Sequence, residues 1–319
     1  MTLYFCTLFD KNYLLKGLAL YDSLSRHCST FRLFILCLDD LTYDILKKIN
    51  LPSAVILRLG ELDDQELLNL KDNRKASEFA WTCKPPLVIH LLKKYGEIRR
   101  LTYFDSDICL YSSPNSIYEE IKDKSIIITP HRFPENKKYL EKKSGIYNAG
   151  TIIFRSDENA MRCLNEWRKQ CLDWCFDYLD KDRLGDQMYL DNWPKKYKNV
   201  HILDHKGVNL GSWNISSYKI KKTNNKIYVD DDPLLWYHFH SLKLYRGKRK
   251  KIKTPPVFLI NKKIYKPYLK NISFLFEKIK KLYPDFNFGL DNKPSMIKII
   301  KQWLERVNSN LLSFFRIGK

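Results

Sequence analysis

Apolar positions early in the chain follow two periods. Residues 3–9, 31–38 and 54–59 are apolar runs of strand length, whereas 14–26 and 41–50 carry apolar positions at helical spacing, with Leu14, Leu18, Tyr21 and Leu24 on one stripe. This β-α-β-α-β opening is the sequence form of a nucleotide-binding half-sheet. Beyond it the pattern predicts helices over 62–70 and 85–94. A polar and aromatic connector joins them, containing Asn73-Arg74-Lys75 and Trp81-Thr82-Cys83-Lys84. Strands are predicted over 99–110 and 125–130, the second followed by the loop His131-Arg132-Phe133-Pro134. A long helix is predicted over 159–178, and late strands over 200–203 and 234–239 flank a turn-rich loop at 207–214. A last helix, from about 296 to 317, would place Met296, Ile300, Trp303, Val307, Leu311 and Phe314 on one face.

The strand over 99–110 contains Leu101-Thr102-Tyr103-Phe104-Asp105-Ser106-Asp107. Its carboxylates fall at or just past the C-terminal end, the edge at which open α/β sheets bind ligands. Alternate positions of an extended chain point the same way, so Asp105 and Asp107 are expected to face one cleft. Two hard oxygen ligands suit Mg²⁺ or Mn²⁺, and such an ion suits a diphosphate. Further on, Gly145-Ile146-Tyr147-Asn148-Ala149-Gly150 leads into another apolar strand, and Gly185-Asp186-Gln187 opens a helical stretch. Trp236-Tyr237-His238-Phe239-His240-Ser241-Leu242-Lys243 then sets two imidazoles and an ammonium after an apolar strand. Imidazole is an ordinary Mn²⁺ ligand. The even spacing puts His238 and His240 on the same side.

In this order the motifs resemble those of the GT-A fold glycosyltransferases, most closely the retaining enzymes of glycosyltransferase family 8. Those enzymes show Asp-x-Asp after a strand, then Asn-Ala-Gly, Asp-Gln, and His-Phe-x-Gly ahead of a Lys. The resemblance spans residues 1–243. It departs at Ser241, where the family has Gly, and at Lys243, which arrives one residue early with no Pro-Trp after it. The fold it implies is α/β: a GT-A-type, Rossmann-like mixed sheet flanked by helices. The activity it implies is metal-dependent, retaining transfer of a sugar from a UDP-sugar to a glycan or lipid-linked acceptor, in synthesis of bacterial surface polysaccharide such as lipopolysaccharide or capsule. On that resemblance Asp105, Asp107 and His238 hold Mn²⁺ or Mg²⁺, with His240 as the alternative ligand and Ser106 among the donor-binding residues. Lys243 contacts the pyrophosphate, Asp186 binds sugar hydroxyls, and Gln187 presents its amide oxygen near the anomeric carbon. Asn148, Ala149 and Gly150 let the sugar approach the backbone. Thr7, Phe9 and Tyr13 follow the first strand, where a uracil can stack or hydrogen-bond. Arg74 and Lys84 are candidates for the donor diphosphate or sugar, and Asn209, Trp213 and Asn214 for the acceptor side.

Composition narrows the alternatives. In 319 residues, 44% hydrophobic and 14% aromatic, a large core is available, enough for one large domain with additions or for two. The apolar runs are too short to span a membrane, and the N-terminus shows no basic leader, so a cytoplasmic location is expected. Eight cysteines without a Cys-x-x-Cys pair read as buried thiols. Cys171 and Cys175 stand one helical turn apart without a second pair to complete a metal site. Absence of Gly-x-Gly-x-x-Gly and of a Walker motif disfavours a nicotinamide site or P-loop. The net charge is +20, and residues 243–319 hold twenty Lys and Arg against four acidic residues. The basic stretch around residues 246–256 marks a boundary. It separates a catalytic region, 1–243 (a nucleotide-sugar half, 1–110, and an acceptor-side half, 111–243), from a basic helical extension, 244–319. The extension is expected to contact an anionic inner-membrane surface peripherally or to serve in a homo-oligomer. Nucleic-acid binding by that tail is a competing reading, but no recognised module supports it and no nucleic acid is expected. An Asp-x-Asp phosphatase is another, and there Cys109 stands where Thr or Val belongs.

Overall fold

A seven-stranded mixed sheet carries the cleft. In the computed structural model of the chain, residues 2–246, 252–253 and 261–292 are described. The elements begin β1 (Leu3–Phe9), α1 (Leu14–His27), β2 (Phe31–Cys37), α2 (Asp40–Ile49) and β3 (Ala54–Arg58). Short α3 (Gln65–Leu68), α4 (Ala76–Thr82) and α5 (Lys84–Lys94) lead to β4 (Arg100–Phe104) and β5 (Ile108–Leu110). Next come α6 (Asn115–Glu120), β6 (Ile126–Pro130), α7 (Glu141–Ser144), β7 (Tyr147–Arg155), α8 (Glu158–Asp173), α9 (Trp193–Lys196) and β8 (Val200–Ile202). Four short strands follow, β9 (Leu210–Gly211), β10 (Ile220–Thr223), β11 (Lys226–Val229) and β12 (Asp232–Pro233), and then β13 (Trp236–His238).

The large sheet has the order β3-β2-β1-β4-β7-β6-β8. Strands β1 to β4 run parallel, and β7 is antiparallel to both neighbours. A small sheet, β5-β13-β9, leaves it at the end of β4. The central strands are largely buried and mostly apolar; Phe5 on β1, for example, stacks on Phe104 at 5.6 Å. Asp39 and Asp157 cap α2 and α8, accepting from Thr42 N and Ala160 N at 2.8 Å each. A Cβ on Gly17 would lie 2.2 Å from Phe9 Cε1, so a glycine there lets α1 close over the Phe9 ring.

Four predicted elements differ, and the helix expected over 62–70 is a single turn, Gln65–Leu68. The strand expected over 99–110 is two: Ile108 N donates to Asp105 O at 3.0 Å, and this turn passes the chain from the large sheet to the small one. Asp105 and Asp107 therefore converge across a turn, not along one extended strand. The expected connector contains α4, stabilised where Glu78 accepts from Lys75 N at 2.9 Å. Helix α8 stops at Asp173, because Trp174 turns extended and joins Phe176 and Tyr178 in an aromatic cluster with ring separations of 5.5–5.7 Å. All eight cysteines are buried and free.

The chain divides into two compact units, 1–240 and 241–319. In the second, β14 (Tyr245–Arg246) pairs antiparallel with β15 (Ile252–Lys253), and α10 (Lys262–Leu282) is amphipathic with Pro267 in its first turns. The helix expected from 296 to 317 lies outside the described residues. No described helix is long and apolar enough to cross a membrane.

Candidate active site

The β4–β5 turn and the end of β13 bring three ligands together. Phe239 N donates to Asp107 O at 2.9 Å, Asp105 N to Gly150 O at 2.8 Å, and His238 pairs with Ile108 across the small sheet. Ligand atoms of Asp105, Asp107 and His238 all lie within 4.8 Å of one another. His238 Nε2 is 3.0 Å from Asp107 Oδ1 and 3.8 Å from Asp105 Oδ2. Two carboxylates and an imidazole on one small volume form a donor set that fits Mn²⁺ or Mg²⁺. His240, the alternative ligand, stands outside this set, its ring 5.7 Å from that of His238.

Two cavities meet at the cluster and share Trp81, Lys84, Asp105, His238 and His240. One, of about 280 Å³, lies over the end of β1 and the start of α1, with Phe9, Asn12, Tyr13, Tyr103, Ser106 and Asp107 in its wall. The other, of about 330 Å³, is walled by His131, Phe133, Asn148, Asp186, Gln187 and Trp213, with Ser144, Asp177 and Leu184 at its margins.

Lys84 joins the two. It is buried, 3.0 Å from Asp105 Oδ1 and 2.9 Å from Asp186 Oδ2, and it donates to Ala149 O at 3.3 Å. Burial alone would lower its pKa, but the two carboxylates hold it above the ordinary lysine value. Burial raises the pKa of Asp186 against the pull of Lys84. Burial also favours the neutral form of Asp107, yet the His238 imidazole and Lys16 outweigh it and keep this carboxyl well below the usual range. Buried His131 is lowered to about 4 and is neutral near pH 7.

Several expected residues take other positions. Gly150 makes room for His238: a Cβ there would meet its Cε1 at 2.5 Å and its Nδ1 at 2.7 Å. The Gln187 amide oxygen, expected near the reacting carbon, accepts from Asn148 Nδ2 at 2.9 Å and Ala149 N at 3.1 Å, while its Nε2 donates to Ser144 O at 2.6 Å. Gln187 thus braces the wall of the larger cavity. Arg74 is outside both cavity walls; its guanidinium donates to Thr82 Oγ1 and, at 2.6 Å each, to Cys171 O and Leu172 O near the end of α8. Thr7 is buried in β1 and lines neither cavity. Of the acceptor-side set, Trp213 reaches the cavity, whereas Asn214 donates to His131 O at 2.7 Å and Asn209 to Pro130 O at 3.4 Å, bracing the loops. Lys243 lies in the second unit, 3.4 Å from Asp291.

Residues the sequence did not single out include Lys16, Trp81, Tyr103, His131, Phe133 and Asp177. Tyr103 donates to Asp105 Oδ1 at 2.9 Å, so the second residue before the turn orients its carboxylate. A legible signal was available for Lys16 alone, a lysine inside the apolar run Leu14-Leu15-Lys16-Gly17-Leu18.

The fold is that of the GT-A glycosyltransferases. The galactosyltransferase LgtC, solved in complex with donor and acceptor sugar analogs, superposes over 92% of this chain and 98% of its own with a TM-score of 0.53 at 12% identity. The bifunctional glycosyltransferase WbbM superposes over 88% of this chain and 51% of its own, with a TM-score of 0.51 at 13% identity. Within that fold the chain belongs to the family of YfnD from Bacillus subtilis, with which it shares 30% identity over 90% of its length and 94% of the relative. YfnF of the same organism shares 32% over 76% of this chain and 83% of its own. No family model matches the chain.

Proposed function

We propose that this protein is a metal-dependent, retaining glycosyltransferase that moves a sugar from a UDP-sugar to a glycan or lipid-linked acceptor. The observation that carries the reading is the Asp105-Asp107-His238 cluster at the junction of two cavities, each walled by both aromatic rings and hydrogen-bonding groups. Asp105, Asp107 and His238 would hold Mn²⁺ or Mg²⁺, which as a Lewis acid would neutralise charge developing on the diphosphate leaving group.

The chain's own groups account for the rest. Phe9 and Tyr13 offer ring faces to a uracil. Asp186, paired with Lys84, accepts hydrogen bonds from sugar hydroxyls, and Lys84 ties that carboxylate to the metal ligand Asp105. Gln187, Asn148 and Ser144 fix the wall against which the sugar turns its reacting carbon. Trp213, Phe133 and Trp81 exclude water and offer apolar faces to a second sugar. Bacterial surface polysaccharide is the acceptor class that agrees with the motif order, and the basic second unit agrees with a lipid-linked acceptor at an anionic membrane.

Three experiments test the reading. Thermal-shift screening of nucleotide sugars with and without Mn²⁺ should give stabilisation by UDP-sugars that chelation removes; no shift with any UDP compound would refute it. NMR of the product should show an α-linkage from an α-linked donor, and a β-linkage would refute retention. Membrane contact is tested by co-sedimentation with anionic liposomes, where the full chain should pellet in low salt and a chain ending near Tyr245 should not.

A further inference from the structure

Lys16 has no place in the reading above, yet it sits against its centre. It lies in the first turn of α1, buried, with its ammonium 3.8 Å from Asp107 Oδ2 and 4.2 Å from the centroid of the Tyr13 ring. The other oxygen of the same carboxylate faces His238 Nε2. Lys84 stands in the same relation to Asp105, at 3.0 Å. Each carboxylate of the cluster therefore has a buried ammonium beside it. Burying an ammonium is costly, and an apolar side chain among Leu14, Leu15 and Leu18 would cost less, so packing of α1 does not account for Lys16.

We propose that Lys16 is a built-in counter-charge that makes the cluster take up its divalent cation together with a nucleotide diphosphate, and only weakly alone. The proposal rests on the nucleotide-sugar reading. A cation at the cluster meets Lys16 across Asp107, and like charges this close in a partly dry site repel strongly. A diphosphate brings negative charge that offsets both. Lys16 acts through Asp107 and is a positioning residue: it engages Oδ2 while Oδ1 faces the cluster.

The test is Mn²⁺ binding to the full chain, read by loss of the free-ion paramagnetic resonance signal, with and without UDP. In the wild type UDP should tighten Mn²⁺ binding by about tenfold or more, and Asp107→Ala should abolish the bound fraction. Lys16→Met should tighten Mn²⁺ binding without UDP by about tenfold and shrink the UDP effect, while Lys16→Arg should behave as the wild type. Lys16→Gln supplies the same neutral comparison if the Met variant does not fold by circular dichroism. If the neutral variants bind Mn²⁺ alone no more tightly than the wild type, while UDP coupling and Asp107 dependence persist, the Lys16 proposal is overturned and the nucleotide-sugar reading stands. If neither Mn²⁺ nor UDP binding depends on Asp107, both are overturned.

Discussion

The two lobes of the cleft are built from different kinds of chain. The smaller is made mainly by the end of β1, the turn into α1, and α4; its wall sets Phe9, Tyr13, Leu38 and Ala80 beside Asp10, Asn12, Ser77 and Ser106. The larger is made mainly by turns and loops, and its wall presents Asn148, Asp186, Gln187 and His131. Aromatic rings held on regular elements suit a planar base, and converging amides and carboxylates on braced loops suit a hydroxyl-rich ring. Trp81, Lys84, Asp105, His238 and His240 belong to both sides. The comparison teaches that affinity for the nucleotide and turnover of the sugar should be separable by mutation, except at that shared seam.

The sharpest way to break this division is at the cluster. Asp107→Ala should lower transfer by about a hundredfold or more and remove Mn²⁺-dependent UDP binding together. Steady-state kinetics with UDP titration checks both, and wild-type transfer would contradict the metal assignment. A sugar-side change should separate them: Asp186→Asn should lower kcat by about a hundredfold while UDP affinity stays within about threefold. Equal loss of both would merge the lobes functionally. On the nucleotide side, Tyr13→Ala should weaken UDP by about five- to tenfold, the loss of one stacking face, with little change in kcat at saturation.

The smallest effect sharpens the description of the larger cavity's wall. Asp191 accepts from Ile146 N at 2.9 Å and 3.1 Å and from Tyr147 N at 3.3 Å, and so fixes the turn before Asn148. Burial raises its pKa to about 6. The unfolded chain releases this proton near pH 3.9. Between about pH 4 and 6 the folded chain holds more protons, and stability falls as pH rises through that window. Asp191→Asn removes the titration. Its melting temperature should gain on the wild type from pH 4 to 6 and hold a constant difference above pH 7, a relative change of at most about 2 kcal/mol after allowance for partial exposure. A difference that does not vary with pH would contradict the role assigned to burial.

The same contrast explains what could be read from sequence. Strands β1, β2, β4 and β7 are largely buried, so apolar residues dominate them, and the order Asp-x-Asp, Asn-Ala-Gly, Asp-Gln, His-Phe marks residues that the fold brings to one cleft. The wall of the larger cavity is harder to read. His131 and Phe133 are ordinary loop residues until Trp213 and Asn214, some eighty positions away, dock on the His131 carbonyl. Arg74 shows the opposite error. A cation in a polar connector suggested a diphosphate contact, yet the carbonyls of Cys171 and Leu172 use it, and nothing local in the sequence announces a partner almost a hundred residues on. At Gly150 the side chain that comes against the backbone is His238, which spacing in the sequence does not announce.

The central claim, that one cation site joins a nucleotide lobe to a sugar lobe, is tested most directly by anomalous diffraction at the manganese edge from crystals grown with Mn²⁺ and a UDP-sugar. The account predicts one peak bounded by Asp105, Asp107 and His238 Nε2, with the uracil against Phe9 and Tyr13 and the sugar beside Asp186. A nucleotide in the lobe of His131 and Trp213, or manganese bound elsewhere while the cluster carries none, would contradict it.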